Sequence, residues 1–390
     1  MFLKLAIFAC LFAITFAAVL KAPIHKRDTI RSRLLKEKKY EEFRLLNRMQ
    51  LARKSGGPLR MDKISQPLYD YGDQEYNVRI SIGTPGQQFE LLPNTAGPTR
   101  LGPDDQDPCA GKKQFDSSAS SSYSTSGENF ITPAGLGNVS GVVSTDSFNL
   151  GDGGSSLIVK GTTFGLADRL STSFAGAPFD GVLGLAFQAV SFEGETPFFQ
   201  HGVDLGLFDS PIFTIYMKKD SNKDADVPVG SITFGGLNTD DCQPNYINVP
   251  LQSEVVWWFH TDGVKVNGGA QRSGPYVTMS SISTAINLLP IDVMFDLVDA
   301  LNGLYDFNNG FYAVDCSTKF TWSLVVNGQE IKADETTMLW QFGDNACYIA
   351  AGSWEDDDHN VDMILGVPFL QNFCVSHDVQ QGVIGFSYGK

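Results

Sequence analysis

The sequence has no His-x-x-x-His or Cys-x-x-Cys spacing. Its five histidines, His25, His201, His260, His359 and His377, are scattered, so no metal site is expected. The acidic run Glu355-Asp356-Asp357-Asp358 lacks the spaced oxygen ligands of a calcium loop and reads as a solvated turn. No Gly-x-Ser-x-Gly, P-loop or dinucleotide fingerprint is present, which removes serine hydrolases and nucleotide enzymes, and no cofactor is expected. Beyond the first 17 residues no apolar run approaches the ~20 residues a membrane span requires. Charged residues make up only 19%, and bases are scarcest where they would matter for nucleic acid. Of the 29 Lys and Arg, 14 lie between Lys21 and Lys63, and the chain from Ser65 onward has a net charge of about −25. A body that acidic is not expected to bind nucleic acid.

What is present is a globular composition, with 42% hydrophobic and 12% aromatic residues. At 390 residues the chain is too long for one ordinary core and predicts two lobes or domains. The 39 glycines and 28 phenylalanines suit many short strands and turns. Met1 to Ala17 carries one early lysine, an apolar run and small residues at its end. It reads as a signal peptide, with a short membrane anchor as the competing reading. Cleavage removes Cys10 and leaves Cys109, Cys242, Cys316, Cys347 and Cys374, an odd number in a disulfide-permissive route.

Residues 18–66 are basic, and Ile30, Leu34, Leu35, Tyr40, Phe43, Leu45 and Leu46 recur at helical intervals. Asp28 or Thr29 caps this predicted helix and Ser55-Gly56-Gly57-Pro58 stops it. The segment reads as a propeptide clamped onto the acidic body, or else as a basic amphipathic helix for membrane or calmodulin. From Tyr76 the text alternates like strands around a Gly-Thr-Pro-Gly turn. Further strand candidates are SGVVSTDSFNL, SITFGGL, VPLQSEVVWWFHTDGVKV, FTWSLVVNGQEI and QGVIGFSYG, and Ile291 to Leu301 is the clearest helix. Phe179 to Phe187 (FDGVLGLAF) echoes Val361 to Phe369 (VDMILGVPF), a hint of two related β units.

These motifs resemble the pepsin-like aspartic peptidase family. ISIGTPGQQFELL is similar to the first-lobe strands of that family, and FDGVLGLAF and VGSITFGGLNT to segments ending that lobe. WWFHTDGVKVNG resembles the start of the second lobe, and MILGVPFLQNFCVSHDVQQGVIGF its close. The resemblance implies an all-β fold of two pseudo-twofold lobes around a peptide cleft, with lobes at 67–240 and 241–390.

Members of the family cut peptides with two aspartates, one per lobe, of which one acts as base and one as acid. Gapless extension puts Asn94 at the first aspartate, in Asn94-Thr95-Ala96-Gly97-Pro98. Counting back from Pro290 puts Ser281 at the second, in Ser281-Ile282-Ser283-Thr284-Ala285, with Ser280 the off-by-one alternative. An aspartate from elsewhere, Asp104 or Asp105, would need a different backbone path. AGLGNVSGVVSTDSF matches the flap of the family in Gly135, Gly137, Gly141 and Asp146, but Ala134 stands where its tyrosine is expected. Leu101 stands where the tryptophan partner of that tyrosine is expected. The resemblance therefore implies a pepsin-like scaffold without catalytic residues, with aspartic endopeptidase activity as the alternative that family membership alone suggests.

Thr95, Arg100, Leu101, Gly135, Gly137, Ser283 and Thr284 are the candidate cleft residues. Arg100 reads either as a solvated surface arginine or as an anion-recognising one. Asn138-Val139-Ser140 is a glycosylation sequon on the flap. The resemblance implies disulfides Cys316–Cys347 and Cys242–Cys374, leaving Cys109 odd. The expected protein is a secreted or lysosomal monomer that binds a peptide or protein in its cleft or on a lobe surface, with its own propeptide as a further partner.

Overall fold

A computed structural model describes residues 20–27, 75–101, 112–134, 137–150, 157–171, 174, 177–191, 194–217, 228–342, 346–354 and 361–390. The signal segment, the predicted helix after Asp28, Cys109, Asp104, Asp105, Gly135 and the run 355–358 lie outside the described residues.

The fold is mostly β, in two lobes. Strands β1 (Leu20–Arg27), β2 (Glu75–Ile82), β3 (Gln87–Asn94) and β4 (Arg100–Leu101) open the first half. They are followed by β5 (Ser124–Ala134), β6 (Gly137–Leu150), β7 (Leu157–Leu170), β8 (Gly181–Gly184), β9 (Ile212–Met217) and β10 (Pro228–Phe234). The Gly83–Gly86 turn joins β2 to β3 as the sequence predicts. These ten strands belong to a sheet of 13 that also takes in Ile247–Pro250, Val383–Tyr388 and Phe373–Asp378 from the second half. The chain's end is thereby stitched to β9, with Cys374 opposite Tyr216 and His377 opposite Phe213.

The strand β1 was not anticipated. It runs antiparallel between β10 and β2, with Ala22 opposite Ile232 and Ile24 opposite Val78. The alternation Leu20, Ala22, Ile24 in the sequence carries the strand signal, but the charges around it mask that signal. Two other readings are refined. FTWSLVVNGQEI is a hairpin, Thr321–Val326 and Gln329–Asp334, and Asn327 and Gly328 both have positive φ at its tip (51° and 74°). VPLQSEVVWWFHTDGVKV is broken between Ile247–Pro250 and Trp258–Val266. The predicted helix spans Ile291–Ala300 behind Pro290 and buries Val293, Met294, Leu297 and Val298.

The two halves repeat one device. In the first, β3 lies parallel to β8, with Asn94 opposite Gly184. In the second, Arg272–Ser280 lies parallel to Met363–Leu365, with Ser280 opposite Leu365. The echo between FDGVLGLAF and VDMILGVPF comes from this packing. A Cβ on Gly184 would lie 2.4 Å from the backbone of Pro98 and Thr99, and one on Gly366 would lie 2.2 Å from the Ile286 carbonyl. Only glycine lets each strand pass so close beneath its turn.

One large core runs through both halves, with Trp257, Phe213 and Phe259 fully buried in it. Two smaller clusters flank it, one around Phe130, Phe174 and Phe179 and the other around Phe311, Trp340 and Tyr348. Trp257 joins the halves by donating its Nε1–H to the Leu185 carbonyl at 2.9 Å. Disulfides link Cys242 to Cys374 and Cys316 to Cys347.

Candidate functional site

The ends of β3 and of strand Arg272–Ser280 meet turn to turn. Thr95, 1% exposed, places its hydroxyl between the backbone groups of the facing turn. It donates to the Ser280 carbonyl at 3.2 Å and accepts from the Ile282 N–H at 3.2 Å. The mirror-image interaction is missing, because Ile282 has no polar side chain to offer the first turn. The hydroxyl of Ser283 donates to Oδ1 of Asn94 at 3.0 Å, and the Ala96 N–H donates to the same oxygen at 2.8 Å. Ser281, 1% exposed, accepts from the Thr284 hydroxyl at 2.7 Å and lies 3.3 Å from the Ser283 hydroxyl.

Asn94, Thr95, Ser281, Ser283 and Thr284 are thus gathered at one junction, and none of these hydrogen bonds involves a carboxylate. The groups are one amide, several hydroxyls and the backbone. They can hold a ligand by hydrogen bonds, but they contain no group that titrates between pH 2 and 7.

Strands β5 and β6 form a hairpin that meets β4 at Thr132 and Arg100. Ala134 ends β5 and pairs with Gly137, which begins β6, and the sequon asparagine Asn138 next to it is exposed. The solvated reading of Arg100 is overturned, since the residue is only 8% exposed. Its Nη2 donates to the Thr132 hydroxyl on β5 at 3.3 Å, and burial pushes its pKa down to about 10. Leu101 points instead into the large core and is 1% exposed, so Arg100 is the residue of this pair that reaches the hairpin. The sequence could not separate the two, because β4 has only two residues and no periodicity to read.

Sequence reasoning also missed His377. Its ring is fully buried, stacked on Phe213 at 4.4 Å and edge-on to Trp257 at 4.6 Å, and neither nitrogen has a hydrogen-bond partner among the described residues. Burial pushes its pKa down to about 3, so the ring is neutral. A cavity of about 10 Å³ separates it from Thr95, Ser280 and Ile282 on the underside of the junction. Among the described residues no group of three His, Cys, Asp or Glu side chains could hold a metal ion. Among them, too, no helix is long and apolar enough to cross a membrane.

The sequence profile of the eukaryotic aspartyl protease family matches residues 75–388. The chain belongs to that family. Individual relatives match over nearly their whole length. It is 28% identical to aspartic protease 17 of Caenorhabditis elegans over 386 residues, 95% of each chain. It is 27% identical to aspartic protease 2 of Necator americanus over 372 residues, 83% of this chain and 85% of the relative. It is also 28% identical to the probable vacuolar protease A of Arthroderma benhamiae over 362 residues, 90% of this chain and 88% of the relative.

Proposed function

We propose that this aspartyl protease family member is a binding protein that does not hydrolyse peptides, with Asn94 and Ser281 at the positions of the catalytic pair. The observation that carries the reading is the hydrogen-bonded junction of Asn94 with Ser283, which contains no carboxylate. Hydrolysis on this scaffold needs a base to take a proton from water and an acid to protonate the peptide carbonyl. The Asn94 amide has no basic site of that strength, and the Ser281 hydroxyl stays protonated at any acid pH. What remains is a floor of hydrogen-bonding groups between two lobes, suited to an extended peptide or protein segment.

The alternative is that the chain is an aspartic endopeptidase like its named relatives. A peptidase assay of the purified protein from pH 2 to 7 separates the two, with cleavage no higher than background expected throughout. Pepstatin-sensitive cleavage would overturn the proposal. The two disulfides support a secretory-pathway protein, and the exposed Asn138 supports a glycan beside the cleft.

A variant of this reading draws on β1. The strand lies inside the sheet rather than at its edge, so its removal would leave β10 and β2 with unpaired edges. That favours a basic segment that stays attached, with outer lobe surfaces meeting partners.

A further inference from the structure

Four neighbouring strands at one end of the large sheet share a cavity on the face turned away from the junction. Asn248 of Ile247–Pro250 lies opposite Gly385, and Gly385 lies opposite Ser376 of Phe373–Asp378. Two residues along, Val383 lies opposite Asp378, and Asp378 opposite Ile212 of β9. Side chains alternate across a strand, and Val375 and His377 line the small cavity beneath the junction, so Ser376 and Asp378 face the other way. The cavity there has a volume of about 490 Å³, within the range of about 300–1,000 Å³ typical of small-molecule sites.

Its wall is built around a glycine. A Cβ on Gly385 would lie 2.4 Å from the Ser376 hydroxyl, 2.7 Å from Oδ1 of Asn248 and 3.2 Å from the Tyr246 ring. Only glycine lets these side chains converge over the strand between them. The Tyr246 hydroxyl is buried without a hydrogen-bond partner among the described residues, and burial pushes its pKa up to about 12, so it stays neutral. An unpaired phenol costs free energy that phenylalanine would avoid and a ligand would recover. Asp378 is held in place, because its Oδ1 accepts from the backbone N–H groups of Gln380 and Gln381 at 3.0 and 2.8 Å. Asn245 and Gln381 complete the polar lining, and Ile212, Leu237, Pro244 and Val383 supply apolar surface.

The lining selects among ligand chemistries. Among the described residues none that lines the cavity is basic, so an anion would face Asp378 without compensation. A cation would satisfy Asp378 but offers no acceptor to the N–H groups of Asn245, Asn248 and Gln381. Adjacent hydroxyl groups both donate and accept, as these amides, Ser376 and Tyr246 do. We propose that this cavity is a saccharide-binding site, with Asn248, Ser376, Asp378 and Gln381 pairing with sugar hydroxyls and the Tyr246 hydroxyl among their partners. The volume has room for a mono- or disaccharide, and its apolar lining suits the C–H face of a sugar ring. The sugar is either free or the end of a glycan. The inference is independent of the reading of the cleft.

Saturation-transfer NMR on the full-length protein tests it, with glucose, galactose, mannose and N-acetylglucosamine, each as free sugar and as methyl glycoside. Propylammonium and acetate serve as charged probes. At least one sugar should bind, in preference to both ions. Binding of the methyl glycoside as well as the free sugar identifies a glycan end, and binding of the free sugar alone identifies a free saccharide. Asn248→Ala and Gln381→Ala change exposed side chains and should each weaken the sugar about fivefold to tenfold. Tyr246→Phe should weaken it several-fold without lowering the melting temperature, because it removes a buried, unpaired hydroxyl. Binding of no sugar, binding of either ion in preference to every sugar, or an affinity unchanged in all three variants overturns the proposal.

Discussion

The hydroxyl of Ser283 donates to Oδ1 of Asn94 across the junction of the two halves, at 3.0 Å. The two residues are 189 positions apart in the chain, and the bond fixes the orientation of the amide. A carboxylate at position 94 could accept the same two hydrogen bonds that Oδ1 accepts now, from Ser283 and from the Ala96 N–H.

That gives the first prediction. Asn94→Asp should fold normally and yet cleave no peptide above background between pH 2 and 7. A lone carboxylate can serve as base but leaves no poised acid, because Ser281 stays a hydroxyl. Chromatographic analysis of a mixed peptide substrate would reveal any product, and cleavage by the single variant would refute the expectation.

Thr95→Val should destabilise the protein by about 2 kcal/mol. The substitution preserves shape but strands the Ser280 carbonyl and the Ile282 N–H, two buried groups that Thr95 now satisfies. Urea unfolding followed by tryptophan fluorescence measures the change, and a shift under a few tenths of a kcal/mol would deny Thr95 its bridging role.

The buried ring of His377 makes stability depend on pH with a definite sign. Its folded pKa is pushed down to about 3, below the ordinary value of 6.5. The unfolded chain therefore binds the extra proton first as pH falls. Stability from this group is complete above pH 6.5 and drains away as pH drops towards 3, by on the order of 4 kcal/mol. His377→Phe keeps the stacking on Phe213 and removes the titration. Thermal melts of both proteins from pH 7 to 4 should diverge steadily, the variant losing less, whereas parallel curves would show that His377 is not a determinant of acid stability.

Protein isolated from its native source should begin ahead of Leu20, because β1 is paired on both sides within the sheet. N-terminal sequencing decides this. A start near Ser65 would mean that β1 is removed and that the cleft is free of its own N-terminal segment.

Much of this molecule was legible along the chain. Periodicity and turn residues located the β2–β3 hairpin and the helix after Pro290, both of which depend on neighbouring residues alone. The echo between the two halves was legible too, because Gly184 and Gly366 answer one backbone constraint twice. Asn94 and Ser281 could be singled out by motif spacing. Tertiary structure decided the rest. No local pattern reveals that Ser283 meets Asn94, that Thr95 bridges to Ser280, or that β1 sits in the middle of a sheet, since each depends on segments distant in sequence. Burial likewise decided Arg100 and His377. A charged or titratable side chain reads as solvated in a sequence, and only the packing of Phe174 and Phe179 around one, and of Phe213 and Trp257 against the other, removes the water.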